Sequence, residues 1–170
     1  MNRLLRTALM LCLAPAAHAS RLTLDVEISS LQVAEYHRPY VAIWIENPDQ
    51  SINAHLALWY LVDLKKADGT QWLKDLRQWW RRGGRELTVP IDGVTGATKP
   101  VGEHRVVVKG DSPQLAKLAP GKYALVVEAA REVGGREVVK IPFEWPATRQ
   151  LQATATGKTE LGTVTLDIVP

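Results

Sequence analysis

The sequence predicts an all-β fold: an immunoglobulin-like two-layer β-sandwich with one inserted short helix, at about residues 72–82. Three observations predict it. Runs of strand length, rich in β-branched and aromatic residues, recur along the chain. Glycine-containing turns separate the later runs. Only one stretch carries its apolar residues at helical rather than alternating spacing.

Leu22, Leu24, Val26 and Ile28 alternate with Thr23, Asp25 and Glu27, the period-two pattern of a strand with one buried face. Val41–Ile45 is a second strand. Leu56–Val62 is a third, too apolar for clean alternation and so read as central. In Gln71–Arg82, Trp72, Leu73, Leu76, Trp79 and Trp80 fall at helical spacing, and Gly83-Gly84 would end that helix. A long connection, Arg85–Glu103, carries Pro90 and Pro100. Arg105–Val108 is short and β-branched. Tyr123–Glu132 and Arg136–Trp145 flank Gly134-Gly135, a hairpin signal because a tight turn calls for positive φ. Leu151–Thr156 and Leu161–Ile168 flank Gly157-Lys158 as a last hairpin. The reading is seven or eight strands in a single domain spanning residues 20–170.

Residues 1–19 read as a signal peptide. Arg3 and Arg6 give a positive start, Ala8–Ala14 is a short apolar run, and Ala17-His18-Ala19 is a small-x-small cleavage signal. The run is far shorter than the roughly 20 residues of a spanning helix, and no later segment is apolar enough to span, so no stable membrane insertion is expected. Leu11 stands before Cys12 where a lipoprotein signal wants a small residue. The expected location is the periplasm. The one cysteine, Cys12, would leave with the signal, and with it any disulfide, thiolate nucleophile or cysteine metal ligand. Loss of Arg3 and Arg6 lowers the 21 basic residues to 19, against 18 acidic ones, which removes any global case for nucleic-acid binding.

Catalytic constellations are thin. His37, His55 and His104 stand at no metal-site spacing, and there is no Gly-x-Ser-x-Gly elbow and no phosphate loop. A metal or haem carrier built on these histidines is the weakest of three functional readings.

The long connection holds Asp92-Gly93-Val94-Thr95-Gly96-Ala97-Thr98. This string resembles the acceptor motif of proteins that receive covalent flavin from an FAD:protein FMN transferase of the ApbE type. That motif has an Asp, two spacers, a Ser or Thr, a small residue, an Ala and the modified Thr or Ser. The resemblance implies FMN, derived from FAD, attached to Thr98 through a phosphoester. It makes Asp92, Thr95, Gly96 and Ala97 the motif partners. Thr98 would offer an exposed hydroxyl on a loop bounded by Gly and Pro, and the small Gly96 and Ala97 would let another enzyme close over the backbone. Two readings stand for Asp92: it orients the acceptor hydroxyl or helps bind the donor's metal, or Asp92-Gly93 is simply a turn. Arg82, with Arg77, Arg81 and Arg85, would offset phosphate charge if the helix folds toward the loop. Trp79 and Trp80 would stack on the flavin ring, or pack the helix on the sandwich; adjacent helix residues cannot both face the same way.

Pro39–Glu46, Trp72–Leu76 and Gly121–Glu132 look like a family of exported bacterial proteins, domain-of-unknown-function family 2271, and the likeness runs from about Leu22 to Ile168. It implies a periplasmic protein associated with flavin transferases and with membrane proteins of the PepSY type. The leading reading is an electron carrier that relays electrons from a PepSY-type or other membrane reductase to a periplasmic acceptor, rather than a complete enzyme. The alternative is a cofactor-free immunoglobulin-like binding or scaffold module docking on a membrane partner.

Overall fold

The computed structural model describes residues 20–62 and 68–170. The expected signal peptide, residues 1–19, lies outside the described residues. Among the described residues nine strands form: β1 (Arg21–Ile28), β2 (Tyr40–Glu46), β3 (Ile52–Tyr60), β4 (Thr95–Ala97), β5 (Gly102–Lys109), β6 (Gly121–Ala130), β7 (Arg136–Trp145), β8 (Leu151–Thr156) and β9 (Leu161–Val169). They make a four-stranded sheet of order β5-β1-β9-β8 and a five-stranded sheet of order β4-β3-β2-β6-β7. All pairings are antiparallel except β3 with β4. The expected sandwich is what the chain builds.

Between the sheets lies one apolar cluster. The alternation read in β1 puts Leu22, Leu24, Val26 and Ile28 into it, facing Val41, Ile43 and Ile45 of β2 and Leu125 and Val127 of β6. A second cluster covers the outer face of the five-stranded sheet, where Ala42, Trp44, Leu58, Tyr60 and Val126 pack against Leu73, Leu76, Trp79 and Val94. β2, β3 and β6 are therefore apolar on both faces, which explains why their sequences do not alternate. The segment that covers the outer face holds the expected short helix within a longer strap. A 3₁₀ stretch (Asp68–Asp75) leads into a short α-helix, α1 (Arg77–Arg81), and a second 3₁₀ turn (Gly84–Glu86) follows.

Three buried carboxylates fix this arrangement. Glu128 of β6, fully buried, accepts from the backbone N–H groups of Gln78 (3.0 Å) and Trp79 (2.8 Å) and from Arg136 Nη1 (2.8 Å). It thus caps the start of α1 from the sheet beneath, satisfying N–H groups that a helix leaves open. Glu46, at the end of β2, binds Arg82 of the strap and Lys140 of β7. Glu160 pairs with the buried Arg131 (Nε to Oε2, 3.0 Å) and accepts from Gly135 N (3.0 Å), joining the β6–β7 turn to the β8–β9 turn.

That β6–β7 turn corrects the reason expected for its glycines. The positive φ falls on Val133 (51°) and not on Gly134 or Gly135. A Cβ on Gly135 would stand 2.6 Å from Glu160 Oε1, so glycine is required there for close approach of a buried carboxylate. Among the described residues no helix is long and apolar enough to cross a membrane.

Candidate functional site

The Asp92–Thr98 string forms an edge of the five-stranded sheet, not a free loop. Ile91 begins a closed turn: its carbonyl accepts from Val94 N (3.2 Å) and Thr95 N (2.9 Å), and its own N–H donates to Thr95 Oγ1 (2.8 Å). Gly93 takes φ 68° at the bend, a conformation open to glycine. Val94 anchors the turn by burying its side chain in the outer cluster. The chain then runs parallel to β3, with Leu58 opposite Thr95, Trp59 opposite Gly96 and Tyr60 opposite Ala97. Leu58 N donates to Val94 O (2.9 Å) and Thr98 N to Tyr60 O (3.1 Å). Pro100 follows, with no N–H to extend the ladder.

Small residues let this short strand lie close. An added Cβ on Gly96 would meet Trp59 Cδ1 at 3.4 Å. The result is a backbone held by hydrogen bonds at both ends and side chains left outside. Ala97 is exposed, Thr98 is half-buried, and the Thr98 hydroxyl makes no hydrogen bond with the described residues. Thr95 differs, since its hydroxyl is spent on the turn.

The other candidate residues fall elsewhere. Asp92 is exposed in the turn that opens β4, while Thr98 follows the strand's far end. The three residues of β4, Thr95–Ala97, stand between them in the chain. Trp79 is 1% exposed, in the outer cluster, and its Nε1–H donates to His55 Nδ1 (3.1 Å). Trp80 is half-buried against the same cluster. Arg82 is bound to Glu46 and to Gln50 Oε1 (2.7 Å) beside the start of β3, whereas Thr98 is tied to Tyr60 at its end. Those ends are about 26 Å apart at 3.3 Å per residue. Arg77, Arg81 and Arg85 are exposed on the strap. The structure therefore joins Thr95, Gly96, Ala97 and Thr98 and separates them from Arg82 and the Trp79 ring.

What adjoins the motif instead is Trp59, Lys99 and His104. Lys99 Nζ lies 5.5 Å from the centre of the Trp59 ring, and His104 meets the same ring edge-on at 5.9 Å. His104 Nε2 donates to Pro100 O (2.7 Å). The sequence carried one signal for this group, the position of Lys99 immediately after Thr98. Trp59 and His104 became neighbours only through the β3–β4 pairing.

The three histidines do not converge. His37 sits on Glu35 (2.9 Å), with Glu132 at 3.7 Å. His55, half-buried, is pushed below its ordinary pKa by burial and serves as the neutral acceptor of the Trp79 indole. Among the described residues no group of three or more His, Cys, Asp or Glu is placed to hold a metal ion.

Fold and site together define a β-sandwich that displays a threonine hydroxyl on a short edge strand. The chain belongs to the family described as Predicted periplasmic protein (DUF2271), whose sequence model matches residues 21–163. That membership makes it a periplasmic protein. No curated protein and no solved structure matches the chain.

Proposed function

We propose that this periplasmic protein is a flavin-bearing electron carrier whose FMN is esterified to Thr98 by an FAD:protein FMN transferase. The observation that carries the reading is the state of that hydroxyl: it ends a motif of acceptor type, on a strand edge, with no hydrogen-bond partner among the described residues. In the attachment step Thr98 Oγ1 loses its proton and bonds to the flavin-side phosphorus of FAD, and AMP leaves as that phosphorus–oxygen bond breaks. The residues present suit such a group. Gly96 and Ala97 add no bulk beside it, and Lys99, unpaired with any described carboxylate, supplies positive charge next in the chain.

Once bound, the flavin would supply one- and two-electron redox chemistry. The chain's contribution is to hold the attachment point rigidly, through Thr98 N on Tyr60 O, at the edge of the molecule where electron-transfer partners can approach. A PepSY-type or other membrane reductase is the donor class this reading requires. In this reading Asp92 would orient the acceptor hydroxyl or help hold the donor's metal.

The test is intact mass. Co-produced with the transferase, the native chain should gain the mass of one FMN, and its gel band should fluoresce after denaturation. Thr98→Val keeps the shape, removes the hydroxyl and should gain nothing. A native chain of unmodified mass, or flavin retained by Thr98→Val, sinks the assignment.

A further inference from the structure

The connection that leaves the motif carries a cation placed unusually for a surface lysine. Lys99 is half-buried, directly follows Thr98, and holds its ammonium over the face of Trp59. Trp59 is itself 5% exposed, fixed in β3 opposite Gly96. Most exposed lysines spread into solvent; this one is kept against an indole, where ring and ammonium attract electrostatically. No described carboxylate pairs with it. The exit itself is braced. Since Pro100 O can only accept, His104 Nε2 must carry the proton in their hydrogen bond, and His104 meets the same indole edge-on. A single ring thus gathers Gly96, Lys99 and His104 around the end of β4.

We propose that Lys99 is the counter-charge of the phosphodiester at Thr98, an anion seat positioned by Trp59 and by the His104–Pro100 bond. The proposal rests on the flavin reading for its natural occupant, but the seat itself recognises the phosphate group. A phosphodiester carries one negative charge, and Lys99 supplies one positive charge without first having to leave an ion pair. Arg82, the phosphate partner expected from the sequence, is committed to Glu46 some eight residues along β3.

The experiment uses the unmodified full chain made without the transferase and titrated with inorganic phosphate at constant ionic strength, with the backbone amides of Thr98 and Lys99 followed by NMR. The native chain should show saturable shifts at both amides. Lys99→Gln should bind about tenfold more weakly, the loss expected for one charge-assisted contact, with the rest of its spectrum unchanged. Lys99→Arg should restore the response. Unmoved amides in the native chain, or a Lys99→Gln titration equal to native, overturns the seat. Intact mass after co-production with the transferase separates the two claims. A chain that gains FMN but does not respond to phosphate keeps the flavin reading and loses the seat. A chain that gains no FMN but shows the Lys99-dependent response keeps the seat and loses the flavin reading.

Discussion

The strap over the five-stranded sheet and the edge strand beside it are built from opposite material and held in opposite ways. The strap is rich in groups that look functional, including three tryptophans and several arginines, yet its principal side chains are spent on structure. Trp79 is in the core and bonded to His55, Arg82 is tied to Glu46, and the α1 backbone is capped by Glu128. The edge strand is made of Thr, Gly and Ala, and its backbone is secured while Ala97 and the Thr98 hydroxyl stay uncommitted. The lesson is that the groups of a chemically rich segment that look most functional can be scaffold. A plain one, secured through its backbone, can keep its side chains free of the bonds that hold a fold together.

The comparison breaks if damage to the strap changes what happens at the edge. The largest effect is expected from Glu128→Ala. It strips two N–H groups and Arg136 of a fully buried carboxylate. Loss of one partner from a buried charged network costs about 3 kcal/mol, to be read as a lower urea midpoint at unchanged slope. Under conditions where the variant is still folded, the FMN loading proposed for Thr98 should match that of the native chain. A folded Glu128→Ala protein that fails to load would mean that the strap takes part in the site.

Next comes Gly135→Ala, at about 1–2 kcal/mol, because the new methyl must displace Glu160 from the Arg131 pair or shift the hairpin. It distinguishes close approach from turn conformation as the reason for glycine, since Gly135 has no positive φ to lose. A variant as stable as native would show that the turn yields freely.

Arg82→Gln sharpens the contrast at the strap's other end. It should cost about 1 kcal/mol, since Lys140 still faces Glu46, and leave loading untouched. Slower loading in Arg82→Gln would bring the strap arginines back into the site despite the length of β3 between them.

Acid should loosen the strap and the sandwich turns in separate windows. Burial holds the His55 pKa below its ordinary 6.5, so the folded state resists protonation that the unfolded chain accepts. The stability that neutral His55 confers is complete above 6.5 and is lost as pH falls through the lowered value. For Glu137, burial works to raise the pKa, but hydrogen bonds from the N–H groups of Leu161, Lys158 and Thr159 overcome it and hold the carboxyl below its ordinary 4.5. Its stabilisation of the β8–β9 turn is present above 4.5 and lost as pH drops through the lowered value. Urea titrations should therefore show stability declining as pH falls below 6.5, flattened by His55→Gln. An equal decline in that variant would assign it to other groups.

How much of this was legible follows from which interactions are local. β1 was plain because one face is buried and the other wet. The outer cluster left a trace as well, since β2, β3 and β6 were too apolar for one-sided strands. Glu46 and Glu128 were marked, each a lone charge ending or interrupting an apolar run, as in Leu125-Val126-Val127-Glu128-Ala129-Ala130. Their partners were not, because Glu128 reaches back fifty residues to Gln78. β4 was hidden altogether. Thr95-Gly96-Ala97 has little strand propensity, and it is a strand because the β3 edge at Leu58–Tyr60 accepts it. The motif could be read as a string, but its neighbours Trp59 and His104 could not, for they come from other strands.

The smallest expected change in stability is at the edge strand itself. In Gly96→Ala the new methyl would stand 3.4 Å from Trp59 Cδ1, at the tight limit of ordinary contact, and Gly96 has no positive φ that alanine would strain. A surface strand position of this kind should move stability by less than about 0.5 kcal/mol. If the edge strand is an acceptor, however, the methyl adds bulk within the motif that the transferase must recognise, and loading should slow severalfold although the fold is intact. The pair of measurements, urea midpoint and rate of mass gain, then separates scaffold from site within one residue. Native-like loading in Gly96→Ala would show that the motif's small residues serve only the packing of β4 on Trp59.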